Sequence, residues 1–285
     1  MTQTFYLGLG GQKCGSTWIR EYLHRQHGSD FGRLGEYQIW EHRLGGVFAR
    51  YEVPAPSPVE RLRAEAKRTF GASEPAQHLR WRLQSSPDAY FDYFADLLAQ
   101  PEIERTGDIS PSYAALPPET LTLIKQGFET RGIAVRAIFS MRDPVDRIRS
   151  HMRMEMAKGR LTPSDDNAIP LRAFYASDEA TARTRYDRTL QALDAVFDPA
   201  DVHLALFESL FRPTGIVALA QFAEVPVDAD AGAVMVNARE KGSGLPEDLV
   251  AEIATHYAPV YRAVAERFPQ VTTLWPSAKY VLTSA

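Results

Sequence analysis

The sequence predicts an α/β fold, a central parallel sheet with helices on both faces in three layers. Three observations lead there. Short apolar runs alternate along the chain with longer stretches of helical periodicity. One run, Ile133 to Met141, is apolar almost throughout, as a strand buried on both faces requires. The first run, Thr4 to Leu9, leads through a glycine-rich turn into an amphipathic segment, the order of a strand–loop–helix unit.

The elements follow in order. Thr4 to Leu9 is the first strand and Ser16 to His27 its helix. Residues 30–52, rich in glycine and aromatics without clean periodicity, read as loop. After the turn-rich stretch Pro54 to Pro58, Val59 to Phe70 has helical spacing. Residues 87–99 form a helix with Pro87 at its start; its stripe of Tyr90, Phe91 and Phe94 is expected to pack inward. Thr106 to Ile109 is a short strand ending at Ser110-Pro111, residues 118–131 are helical, and the strand at 133–141 follows. Residues 143–158 and 179–196 are helices, Val202 to Phe207 a strand, and 213–223 and 246–268 helices again. Residues 1–285 are expected to form one domain, with a mostly helical insertion around 30–100.

Residues 7–23, LGLGGQKCGSTWIREYL, carry the first chemical signal. Gly10, Gly11 and Gly15 leave backbone N–H groups able to reach an anion, and Lys13 adds a point charge. Ser16 and Thr17 supply hydroxyls at the positive end of a helix dipole. This is a phosphate cradle, but not a Walker A loop, because Lys13 enters two residues early. Cys14, the one cysteine, excludes an intrachain disulfide. The helix start and Lys13 could lower its pKa, although a small residue that fits the turn is the plainer account.

A second signal lies in 133–153. The strand ends at Arg142; Asp143 suits an N-cap and Pro144 the first helical position. Ser150 follows Arg142 by eight residues, about two helical turns in. A strand-end arginine and a serine on the next helix can converge on a second phosphate, which suggests a nucleotide phosphorylated at two places.

This pair of motifs resembles the sulfotransferases that use 3′-phosphoadenosine 5′-phosphosulfate (PAPS). QKCGSTW is similar to that family's 5′-phosphosulfate loop, and SMRDPVDRIRSH to its 3′-phosphate motif. The resemblance implies a P-loop-like fold in which Lys13, Cys14, Gly15, Ser16 and Thr17 hold the 5′-phosphosulfate, Trp18 stacks near the adenine, and Arg142 and Ser150 bind the 3′-phosphate. Arg239-Glu240-Lys241-Gly242 is similar to the family's R-K-G loop, with a glutamate interrupting the basic pair. Arg239, Lys241 and Gly242 are therefore expected over the 3′-phosphate and adenine. The implied product is 3′-phosphoadenosine 5′-phosphate (PAP), and the implied reaction needs no metal.

Sulfuryl transfer is mostly positioning plus charge stabilisation, so Lys13 is expected to neutralise charge on the leaving phosphate. The general base is open between candidates. Glu36, in LGEYQIWEH, resembles the K-E-x-x-[YF]-[FW] stretch of the heparan-type and related bacterial branch, with Gly35 in place of the lysine. His42 is the alternative, since cytosolic small-molecule members use a histidine. Asp108, in GDISPSY, resembles a family segment near the acceptor, or caps the turn at Ser110-Pro111. Tyr113 and Tyr186 either line the site or pack in the core with bonded hydroxyls. Arg147, Arg149, Arg153, Lys158 and Arg160 read as a solvated face, with an acidic acceptor as the sharper alternative. His151 reads as packed or solvated.

Composition sets the outer limits. A net charge of −4 argues against general nucleic-acid binding. The seven histidines show no metal-ligand spacing. No apolar run approaches the ~20 residues needed to span a bilayer, and the N-terminus lacks a basic segment ahead of an apolar one, so a cytoplasmic protein is expected. The acceptor is expected to be a small molecule or carbohydrate. Two other functions stay open: an ATP-using small-molecule kinase and a non-catalytic nucleotide-binding protein. The sequence is silent on oligomeric state.

Overall fold

The computed structural model describes residues 3–164, 166–233 and 244–282. Four strands, β1 (Thr4–Gly8), β2 (Arg105–Ile109), β3 (Ala134–Met141) and β4 (Val202–Leu206), form one parallel sheet in the order β2-β1-β3-β4. The register places Leu7 between Asp108 and Ala137. From β1 the chain goes to one side for β2 and returns to the other for β3. The crevice beyond the carboxyl ends of β1 and β3 is therefore a topological switch point, where open α/β sheets bind ligands.

Alternation along β1 divides the core. Phe5, Leu7 and Leu9 face a large cluster that takes in Tyr90, Phe91 and Phe94 of α4 (Pro87–Leu98) and Phe128 of α5 (Pro118–Glu129). Tyr6 faces the other side, with Trp18, Ile19 and Leu23 of α1 (Ser16–His24) and Ile216 and Leu219 of α11 (Pro213–Ala223). Burial of each such side chain contributes about 1.5–3 kcal/mol. The aromatic stripe of α4 is core: Tyr90 and Phe94 are fully buried.

Several elements differ from the sequence expectation. The stretch 30–52 contains two 3₁₀ turns, Glu41–Leu44 and Gly46–Tyr51. An unforeseen helix, α3 (Ala76–Ser85), follows α2 (Pro58–Thr69) and buries Leu79 and Leu83 one turn apart. Residues 179–196 are two helices, α8 (Asp178–Thr181) and α9 (Tyr186–Val196), because Arg185 leaves helical backbone with ψ 64°. Likewise 246–268 divides into α12 (Glu247–His256) and α13 (Ala258–Ala265), where Pro259 cannot donate to the preceding turn. The helix after β3 is α6 (Pro144–Ala157); α7 (Ala168–Phe174), α10 (Phe207–Leu210) and α14 (Val271–Leu274) are short.

Candidate active site

The loop from β1 to α1 sits at the switch point. The Gly11 N–H, expected to face an anion, instead donates to the Ser140 carbonyl of β3 at 2.9 Å. That contact extends the sheet pairing, and a Cβ at Gly11 would lie 2.8 Å from both Cys14 Sγ and the Ser140 oxygen. Lys13 and Gly15 both have left-handed backbone, φ 71° and 92°. Gly15 is the N-cap of α1 and gives no side-chain cap, and the first helical bond runs from the Ile19 N–H to the Gly15 carbonyl. The N–H groups of Ser16, Thr17 and Trp18 thus have no partner within the helix, which leaves them available to an anion.

Cys14 is fully buried, 3.5 Å from the Tyr186 hydroxyl. Burial pushes its thiol up to about 11, so the lowered pKa suggested by the loop does not occur. Tyr186 is fully buried in the core. Trp18 stacks on Tyr22 at 5.2 Å and donates Nε1–H to the Ala231 carbonyl at 3.1 Å, with an edge left on the cleft.

A cleft of about 440 Å³ opens over this loop. Its walls bring together Lys13, Gly15, Ser16, Thr17 and Trp18 from the loop and α1, Arg142 and Ser150 from the β3–α6 unit, and Glu36 from the stretch after α1. Among the described residues, five basic side chains line it, Lys13, Arg50, Arg142, Lys158 and Arg160, against one carboxylate, Glu36. Asp143 caps α6, its Oδ1 accepting from the Val145 N–H at 2.9 Å, and so fixes where Arg142 leaves the strand. The Arg142 guanidinium lies 4.4 Å above the Phe207 ring, and its buried Nε has no partner among the described residues. An orphaned guanidinium N–H, an uncapped helix start and a basic lining all fit a polyanionic nucleotide. Arg239, Lys241 and Gly242 lie outside the described residues.

Glu36 is held by its backbone. Arg80 of α3 donates to the carbonyls of Tyr37 (2.7 Å) and Glu36 (2.9 Å). Ser110 Oγ accepts from the N–H groups of Tyr37 and Gln38, and Tyr113 Oη from that of Ile39. Behind them stands Asp108, which accepts from Ser110 (2.6 Å), Tyr113 (2.7 Å) and Tyr90 (3.1 Å). Asp108 and Tyr113 are fully buried and do not reach the cleft; they brace the Glu36 loop. Burial raises Asp108 to about 6 despite the three hydroxyls. The Glu36 carboxyl is open to solvent, yet crowding by the cleft walls raises its pKa. Lys158, the Gln38 amide, Arg80 and Lys13 pull it back in part. His42 lies in a 3₁₀ turn away from the cleft lining, its pKa lowered by burial.

The basic residues of 142–160 are not all a solvated face. Arg147 is fully buried, beside His151 Nδ1 and the Ala180 carbonyl. Arg153 reaches Asn167. Two cleft arginines are held from behind: Arg50 by Glu179 at 2.6 Å and Arg160 by Glu155 at 2.7 Å. Glu155, Glu179 and His151 could together hold a cation, but both carboxylates already pair with guanidinium groups, Arg183 included. Burial raises Glu179, but His151, Arg183 and Arg50 outweigh it and bring it down to about 2. Sequence reasoning missed Arg50, Arg80 and Gln38; no local motif marks them, because Arg50 and Arg80 meet partners far along the chain and the Gln38 backbone is held by Ser110 and Gln84.

The fold is sulfotransferase-like. Over 94% of this chain and 96% of the other, it superposes on the crystal structure of a sulfotransferase from Alicyclobacillus acidocaldarius, with TM-score 0.61 and 18% identity. At that identity the match speaks for the fold alone. Two further structures overlap less well. The sulfotransferase domain from the curacin biosynthetic pathway gives TM-score 0.46 at 18% identity, over 80% of this chain and 76% of that one. The sulfotransferase domain from the Synechococcus PCC 7002 olefin synthase gives 0.47 at 17% identity, over 90% and 94%. No family model matches the chain. No curated protein matches it either.

Proposed function

We propose that the protein is a PAPS-dependent sulfotransferase that transfers a sulfuryl group in line to an acceptor hydroxyl or amine. One observation carries the reading: Lys13 with the open start of α1, Arg142 with Ser150, and Glu36 come from three distant segments and line one cleft. PAPS supplies an activated sulfuryl group. Lys13, Ser16 and Thr17 hold its 5′ end, and the Cys14 and Gly15 backbone shapes that loop. Arg142 and Ser150 hold the 3′-phosphate, with Trp18 beside the adenine.

Glu36 takes the acceptor's proton. Its raised pKa makes it a stronger base than a free glutamate. The sequence lacks a lysine before this glutamate, and Lys158 faces it from the end of α6, on the same cleft. Lys13 balances charge on the leaving phosphate, a contribution of the kind worth about 10²–10³ in rate.

The test is PAP release from PAPS in the presence of a panel of alcohols, phenols, amines and sugars, followed by mass spectrometry. Acceptor-dependent PAP and a sulfated product, both lost in Lys13→Ala, support the reading. Turnover of ATP with Mg²⁺ and none of PAPS would move the protein to the kinase class.

A further inference from the structure

Helix α2 is turned inside out. Val59, Leu62 and Phe70 are 57%, 69% and 86% exposed, and with the exposed Ala66 they fall within a roughly 80° arc at 100° per residue. The opposite side meets the protein through buried Ala64 and through Arg61, whose guanidinium lies 4.7 Å over Trp81 and donates to the Pro56 carbonyl. Packing therefore does not explain the helix. Local chemistry does: Ser57 and Glu60 form a reciprocal capping box, and Pro58 occupies the first turn. A helix stabilised from its own ends can present an apolar stripe outward.

Charge identifies what covers the stripe. Arg63 and Lys67 border it on one side, and the helix carries four basic residues against two glutamates in a chain whose net charge is −4. A basic flank beside an exposed apolar stripe, with Glu65 on the other side, suits an anionic lipid surface. A second protein chain is less well matched, because one twelve-residue helix offers far less than the ~1,200–2,000 Å² of a stable interface. The place is informative too. Pro56 and Glu60, at the start of α2, form part of the wall of a cavity of about 610 Å³ that also has Val53, Pro54 and Pro75. Gln38, Arg50 and Tyr51 line both this cavity and the cofactor cleft.

We propose that α2 docks on an anionic bilayer, inserting Val59, Leu62 and Phe70 with Arg63 and Lys67 at the headgroups, and that an amphiphilic acceptor passes from there into the adjoining cavity. The delivery step rests on the transferase reading; the docking does not. The experiment is co-sedimentation of the full chain with vesicles of phosphatidylcholine alone and of phosphatidylcholine with phosphatidylglycerol. Wild type should pellet with the anionic vesicles, at least tenfold more weakly with neutral ones, and less as salt is raised. Leu62→Ser/Phe70→Ser and Arg63→Glu/Lys67→Glu should each weaken binding at least tenfold. PAP titration of the same variants should match wild type, which shows that they are folded and keep the cleft.

Wild type left in the supernatant with anionic vesicles, or variants that pellet as it does, overturns the docking. So does a fall in sedimentation-velocity mass from dimer to monomer in Leu62→Ser/Phe70→Ser, since a second copy would then cover the stripe. Wild type that pellets but binds no PAP leaves the docking in place and removes the transferase reading.

Discussion

Gln38 donates from Nε2 to the Glu36 carboxylate at 3.2 Å while its own backbone sits in the left-handed region at φ 60°. A non-glycine residue there is strained by on the order of 1 kcal/mol and persists only where its surroundings hold it. They do: the Gln38 N–H donates to Ser110, and its carbonyl accepts from Gln84 at 2.7 Å. The strain aims the amide at the carboxylate proposed as the base.

Glu36→Gln should lower kcat by about 10²–10⁴ with PAP affinity unchanged, measured by PAP release and by titration calorimetry. Because the wild-type pKa is raised, the acid limb of the rate profile should lie above the ordinary glutamate value of about 4.3. The Gln38 amide lowers that pKa, so Gln38→Ala should move the limb to still higher pH. A limb that stays put or moves down would mean that Gln38 does not hold the catalytic carboxylate.

Tyr113→Phe removes both the hydroxyl that donates to Asp108 and the acceptor for the Ile39 N–H. With the buried Ile39 N–H left unpaired and Asp108 one donor short, stability should fall by about 1–3 kcal/mol in chemical denaturation. The Glu36 loop should loosen, lowering kcat while PAP affinity holds. A destabilised variant with full kcat would make Asp108 and Tyr113 structural only.

Glu41 is fully buried, bonded to the Ser112 hydroxyl, and burial raises it to about 7. Since the folded pKa exceeds the unfolded value, its contribution is complete below about 4.3 and is lost as pH rises through about 7. Asp108, at about 6, acts in the same direction. By linkage, the melting temperature should therefore fall as pH rises from about 4.3 to about 7, and Glu41→Gln should flatten that fall. Glu179, brought down to about 2, works the other way and loses its contribution only in strong acid.

The strands and the loop between β1 and α1 are legible because they depend on local pattern: an apolar run, then glycines, then a helix start. Arg142 and Ser150 were legible for the same reason, since Asp143-Pro144 marks where the helix begins. Asp108 stays open in the sequence between the acceptor site and a turn cap, because its burial depends on Tyr90, Tyr113 and Ser110 together, which no local spacing reveals. Arg147 looked solvated, since its neighbours Ala180 and Arg183 come from a helix pair that the periodicity ran together. The approach of Lys158 to Glu36 joins the end of α6 to the loop after α1, a tertiary relationship with no sequence signature.

A proposed site for two phosphates on one nucleotide would separate PAP from ADP. Titration calorimetry with PAP and with ADP, on wild type and Arg142→Ala, tests it most directly. Wild type should bind PAP at least tenfold more tightly than ADP, and the substitution should erase the difference, as loss of an arginine–phosphate contact of ~1.5–3 kcal/mol requires. Equal affinity of wild type for PAP and ADP would contradict it, because the 3′-phosphate site would then be absent.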